Sequence, residues 1–62
     1  MKSKFKPGDV IRFTNWIRME YFDRLVVCID DKCVYYLKPN NEVYDLSIRE
    51  VNTNFTLIHR PK

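Results

Sequence analysis

The stretch "VVCIDDKCVYYL", Val26 to Leu37, decides the fold. Two β-branched and aromatic runs flank Asp30-Asp31-Lys32, and both cysteines of the chain sit at the inner ends of those runs. Such runs separated by turn residues read as a β-hairpin. Successive side chains of a strand point to opposite faces, so the length of the turn sets which side chains share a face. A three-residue turn at 30–32 sets Ile29 opposite Cys33, Val27 opposite Tyr35 and Leu25 opposite Leu37. That register collects six buried-type side chains on one face, with Cys33 inward and Cys28 outward. A two-residue turn instead sets Cys28 opposite Cys33, within reach of a cross-strand disulfide, and puts Arg24 on the face of Tyr35 and Leu37. The three-residue register fits the hydrophobic pattern better and predicts two free thiols. Two thiols and the distant His59 fall short of the four ligands of a structural zinc. The reading calls for no metal and no cofactor.

Outward from the hairpin, short apolar runs recur about every ten residues between turn signals, which is the all-β pattern. "VIRFTNW" is the first strand, "YFDRLVVCID" the second, "CVYYLK" the third, "EVYDLSI" the fourth and "FTLIHR" the fifth. "KPGD" (6–9) suits a type II turn with Gly8 at positive φ, and "KPNN" (38–41) a turn in which Asn40 and Asn41 tolerate the left-handed region. Ser47 with Glu50 three residues on has the spacing of a capping box and suits one helical turn before the last strand. The period-2 pattern predicts a core of Ile11, Phe13, Leu25, Val27, Ile29, Tyr35, Leu37, Leu46, Val51, Phe55 and Leu57.

The 62 residues allow one domain, 1–62, with residues 1–6 as a basic tail leading into the first strand. A composition 45% hydrophobic, 31% charged and 15% aromatic is globular. No apolar run approaches the roughly 18 residues of a membrane span, and the N-terminus has no secretion signal. The chain reads as cytoplasmic. Net charge is +3, and the positive charge lies at the ends: Lys2, Lys4, Lys6, Arg12, Arg18 and Arg24 in the first part, Arg60 and Lys62 at the close. Such asymmetry permits an anionic partner.

The stretches "FKPGDVIRF", "VVCIDDKCVYYL" and "VYDLSIREVNTNFTLI" resemble the small SH3-like barrel proteins of bacterial viruses and mobile elements, over nearly the whole chain. The resemblance implies a five-stranded SH3-like barrel. Similarity to the KOW and Tudor-type branches of that fold implies nucleic-acid or protein binding, since fold alone does not fix function. The acid cluster in the first long loop and the Trp-Trp or Trp-Lys pair after the second strand that a proline-peptide groove would show are missing.

No nucleophile–base set assembles. Ser3 falls in the tail, Ser47 caps a helix, His59 has no orienting acid, and one glycine cannot build a phosphate-cradling loop. The expectation is a non-catalytic binding module. If Ile11 and Phe13 face the core, Arg12, Thr14 and Trp16 face outward, and the same alternation sends Arg24, Val26 and Cys28, then Val34, Tyr36 and Lys38, to the surface. Cations beside exposed rings suit single-stranded nucleic acid, so Lys4, Lys6, Arg12, Trp16, Arg18, Arg24, Tyr36 and Arg60 are the candidate contacts. The alternative is a protein-interaction module, such as a small viral protein that binds and modulates a host protein, for which the same residue types serve. Monomer or weak dimer, with no membrane and no small-molecule substrate, completes the expectation.

Overall fold

The computed structural model describes residues 2–15 and 17–61, with Asn15 described through its backbone. Five strands and one helix follow one another as β1 (Val10–Asn15), β2 (Glu20–Ile29), β3 (Cys33–Leu37), β4 (Val43–Ser47), α1 (Ile48–Asn54) and β5 (Phe55–His59). Each strand pairs antiparallel with its neighbour in the order β4-β3-β2-β1-β5. A four-stranded meander whose fifth strand returns beside the first is a small SH3-like barrel, as the sequence leads one to expect.

The turns form where Pro, Gly and Asn allow them. Gly8 takes φ 94°, and Asp9 N donates to Lys6 O at 3.1 Å to close the turn. A side chain there would need a strained φ and would meet Pro61 Cγ at 3.2 Å. Asn41, at φ 67°, closes the β3–β4 turn by donating to Lys38 O at 2.9 Å. In the β2–β3 turn Asp30 acts as an internal brace: Oδ1 accepts from Lys32 N and Cys33 N, and Oδ2 from the Tyr35 hydroxyl at 2.8 Å. Ser47 caps α1 by accepting from Glu50 N at 3.2 Å. The helix then runs for seven residues, longer than the single turn expected, because Ile48 and Val51 both bury on its inner side.

The core comprises Phe5, Ile11, Val26, Val34, Ile48, Val51 and Phe55, with Phe13, Ile29 and Leu46 packed against it. Phe13 stacks on Phe22 at 4.9 Å between centroids, and Phe55 meets both rings at 5.5 and 6.3 Å, so three aromatics fill one part of the inner side. Ile11, Phe13, Ile29, Leu46, Val51 and Phe55 are thus inside as predicted.

The face of β2 and β3 is not. Val26 is 1% exposed and Val34 fully buried, whereas Leu25 and Val27 are 42% and 43% exposed. The pairing explains it. Leu25 lies opposite Leu37, as a three-residue turn requires, but Cys28 lies opposite Tyr35 and Ile29 opposite Val34, so Val27 is an extra, bulged residue. A bulge shifts the alternation by one: Val26 and Ile29 both face inward although three apart. Leu25, Val27, Tyr35 and Leu37 therefore leave the predicted core, as does exposed Leu57 on β5, where Ile58 forms a second bulge. Val26, Val34 and Phe5 take their place. The segment 2–6 is also no loose tail. Asn52 holds it, its Oδ1 accepting from Lys4 N and its Nδ2 donating to Lys2 O, each at 2.9 Å, and Phe5 is buried beneath.

Candidate functional site on the outer face of the sheet

With Ile11, Phe13, Val26 and Val34 turned inward, alternation places Val10, Arg12 and Thr14 of β1 on the outer face. The same face carries Tyr21, Asp23 and Leu25 of β2, Leu37 of β3, and Val43 of β4. Register lines these up across the strands. Val10 lies opposite Leu25, Leu25 opposite Leu37, and Leu37 opposite Val43, so one apolar row crosses four strands. Leu25 and Val43, the latter 53% exposed, give this row its contact with solvent.

Next to the row, Arg12 lies opposite Asp23 and donates through Nε and Nη2 at 2.7 and 3.2 Å. The guanidinium also sits 4.8 Å from the centre of the Tyr21 ring. The hydrogen bonds from the Arg12 guanidinium hold the Asp23 carboxyl below the usual carboxylate range, and that carboxylate in turn raises Arg12. Beyond the pair, toward the β1–β2 connection, Arg12, Thr14, Met19 and Tyr21 line an open hollow of about 260 Å³. Met19 reaches it from a left-handed backbone at φ 56°, an uncommon conformation for a side chain of this kind.

The predicted contact residues do not form one platform. Arg12 is outward as expected, but its charge is held by Asp23. Arg24 is a correction. It lies on the inner side, half-buried, with its guanidinium 4.2 Å from the Phe22 ring centre and one nitrogen donating to Asp23 O at 2.8 Å, while its buried Nε has no partner. Tyr36 is the second correction: it lies opposite Val26 and Tyr44 on the inner side. Both follow from the inverted face of β2 and β3. Arg18 is exposed in the β1–β2 connection. Trp16 and Lys62 lie outside the described residues.

Lys4, Lys6 and Arg60 do come together where the chain ends meet. Arg60 donates to Lys4 O at 3.2 Å and grips Asp9 through Nε and Nη2 at 3.0 and 2.8 Å. Asp9, fully buried, also accepts from Lys6 N at 2.8 Å. The Arg60 hydrogen bonds hold its carboxyl below the usual range. Arg60 thus serves the fold first. Lys4 Nζ donates to Asn52 O at 3.2 Å and stays exposed, as does Lys6.

The cysteines are free thiols. Cys28 is outward and exposed, but Cys33, opposite Ser47, shares the outer side with Tyr35 and is half-buried and not in the core. Desolvation, with Asp30 nearby, pushes its thiol up. The Asp30 hydrogen bond likewise raises the Tyr35 phenol to about 12. Among the described residues no group of three His, Cys, Asp or Glu side chains is placed to hold a metal, and no helix is long and apolar enough to cross a membrane.

What sequence reading missed is the row itself. The period-2 pattern places Leu25 and Leu37 in the core, and nothing in a chain apolar on both faces of β2 marks which face is covered. No family model matches the chain, and comparison with curated proteins and with solved structures gives no match.

Proposed function

We propose that this protein is a non-catalytic interaction module that docks a partner protein on the outer face of its sheet. The observation that carries the reading is that β2 and β3 are apolar on both faces. Val26, Ile29 and Val34 fill the core, and Leu25, Leu37, Val10 and Val43 form a second apolar row on the solvent side. Strands apolar on both faces are usual where both faces are covered, and contiguous exposed apolar surface marks sites of association. Tyr21, Arg12 and Met19 beside the row are residue types that dominate protein contacts. The resemblance to small SH3-like proteins of bacterial viruses directs the search toward host proteins.

The test is affinity capture from nuclease-treated bacterial lysate with the wild-type chain and with Leu25→Asp. A protein retained by the wild type and lost with Leu25→Asp is the expected result. Equal capture by both, or retention that nuclease abolishes, rejects the reading.

A second reading has its own observation. The chain ends meet, bringing Lys4, Lys6 and Arg60 into one basic corner suited to nucleic-acid phosphates. Its affinity for a labelled single-stranded oligonucleotide falls steeply between low and physiological salt, through counterion release, and falls again in Lys4→Glu. Absence of binding at low salt removes it.

A further inference from the structure

The sheet ends at β4, and one side of that strand's backbone is unpaired. Lys38 N donates to Glu42 O at 2.8 Å and Ile48 N to Lys32 O at 3.0 Å, so hydrogen-bonded pairs bracket the β3–β4 ladder. Between them the register runs unbroken from Leu37 opposite Val43 to Cys33 opposite Ser47. Hydrogen-bonded and non-hydrogen-bonded pairs alternate along an antiparallel ladder. The N–H and C=O groups of Tyr44 and Leu46 therefore aim at β3, and those of Val43 and Asp45 aim away from the sheet. No strand lies beyond β4, and no hydrogen bond reaches the Val43 or Asp45 backbone among the described residues. The opposite edge, β5, is interrupted by the bulge at Ile58, and bulges turn an edge away from further pairing. β4 has neither a bulge nor a proline.

The side chains of this edge select what can pair with it. Val43, 53% exposed, ends the apolar row of the outer face. Asp45 follows on the same face, exposed and in no ion pair among the described residues. Two copies of β4 paired over their full length about a two-fold axis would set Asp45 against its own copy, and like charges directly opposite are destabilising. Registers that separate the carboxylates shorten the ladder. A strand with a lysine or arginine opposite Asp45 and an apolar residue two places further on, opposite Val43, satisfies both positions.

We infer that the free edge of β4 takes an extended segment of the partner protein as a sixth, antiparallel strand, with a cationic side chain opposite Asp45 and an apolar one opposite Val43. Backbone hydrogen bonds to such an edge supply affinity, and alternate side chains supply specificity. The inference rests on the outer-face reading above, because the apolar residue opposite Val43 carries the row from Leu25 and Leu37 onto the partner.

The experiment is amide-resolved NMR of the intact chain, first alone and then titrated with two capped hexapeptides, Thr-Thr-Lys-Tyr-Val-Thr and its Lys-to-Glu counterpart. In the free chain the amides of Val43 and Asp45 are expected to exchange fast with solvent and those of Tyr44 and Leu46 slowly. The lysine peptide is expected to give saturable shifts centred on β4, with a dissociation constant on the order of millimolar, and to slow exchange at Val43 and Asp45. The glutamate peptide binds about two- to fivefold more weakly, the worth of one cross-strand ion pair, and Asp45→Lys reverses that preference. Asp45→Pro removes only an outward N–H, a change that edge strands tolerate; it abolishes binding of both peptides and leaves amide positions on β1 and β2 unchanged. Should that variant fail to fold, the reversal in Asp45→Lys decides alone. No saturable shift, shifts centred away from β4, or an unreversed preference in Asp45→Lys overturns the inference. Slow exchange at Val43 and Asp45 in the free chain, or a dimer mass in sedimentation, means that the edge is already occupied and overturns it too. Those results leave Leu25-dependent capture untouched. Capture that is equal with Leu25→Asp instead overturns the outer-face reading, whatever the peptides do.

Discussion

Asp9 sits fully buried at the mouth of β1 and accepts hydrogen bonds from Arg60 and from the Lys6 backbone, so one carboxylate ties the first turn to the last residues of the chain. Its folded pKa lies below the ordinary value. A depressed carboxylate contributes stability above its unfolded pKa, near 3.8, and loses it as pH falls through the lower folded value. The wild type is therefore expected to weaken progressively in acid below about pH 4. Asp9→Asn should cost about 1–3 kcal/mol at neutral pH and flatten that acid dependence, as read by urea denaturation at pH 7 and pH 3. An unchanged midpoint at pH 7 would refute the role of the pair. The thiols give a second expectation at this scale. Cys28 is exposed while Cys33 is half-buried with its thiol pushed up. Because the thiolate is the reacting form, a thiol reagent should modify Cys28 well before Cys33 in the native protein. Mass spectrometry of partially labelled protein decides it, and equal rates or a native disulfide would contradict it.

The turns and the helix start were legible because a single residue type dictates each of them. Gly8 and Asn41 adopt the positive φ that other residues avoid, and Ser47 with Glu50 announces the cap. The strands were legible from their β-branched and aromatic runs. The face of β2 was not. "RLVVCI" offers Leu25 and Val27 on one side and Val26 on the other with similar hydrophobicity, so alternation alone gives two answers. The bulge at Val27 has no signature in that run, since any of its residues tolerates it. The hydrogen-bonding role of Asp30 settles the turn only when Tyr35 and Cys33 are placed around it. Contacts between distant residues were equally hidden. Asn52 reaching Lys2 and Lys4, and Arg60 reaching Asp9, pair positions about fifty residues apart that no local spacing connects. The candidate contacts Arg24 and Tyr36 failed for the same reason as the core face, while Arg12 held its outward place because β1 is regular where it pairs with β2.

At the scale of the molecule, a 62-residue barrel has little apolar material to spare, yet this chain keeps a row of it outside. The central claim is that β2 has one face for folding and one for a partner. Denaturation of Val26→Asp and Leu25→Asp, followed by circular dichroism, tests it most directly. A charge at Val26 has no partner in the core, and the account predicts loss of more than about 3 kcal/mol, enough to unfold a domain of this size. At Leu25 the charge reaches water, and the account predicts a native fold within about 1 kcal/mol of wild type. A tolerated aspartate at Val26 together with an unfolded Leu25→Asp chain would contradict it.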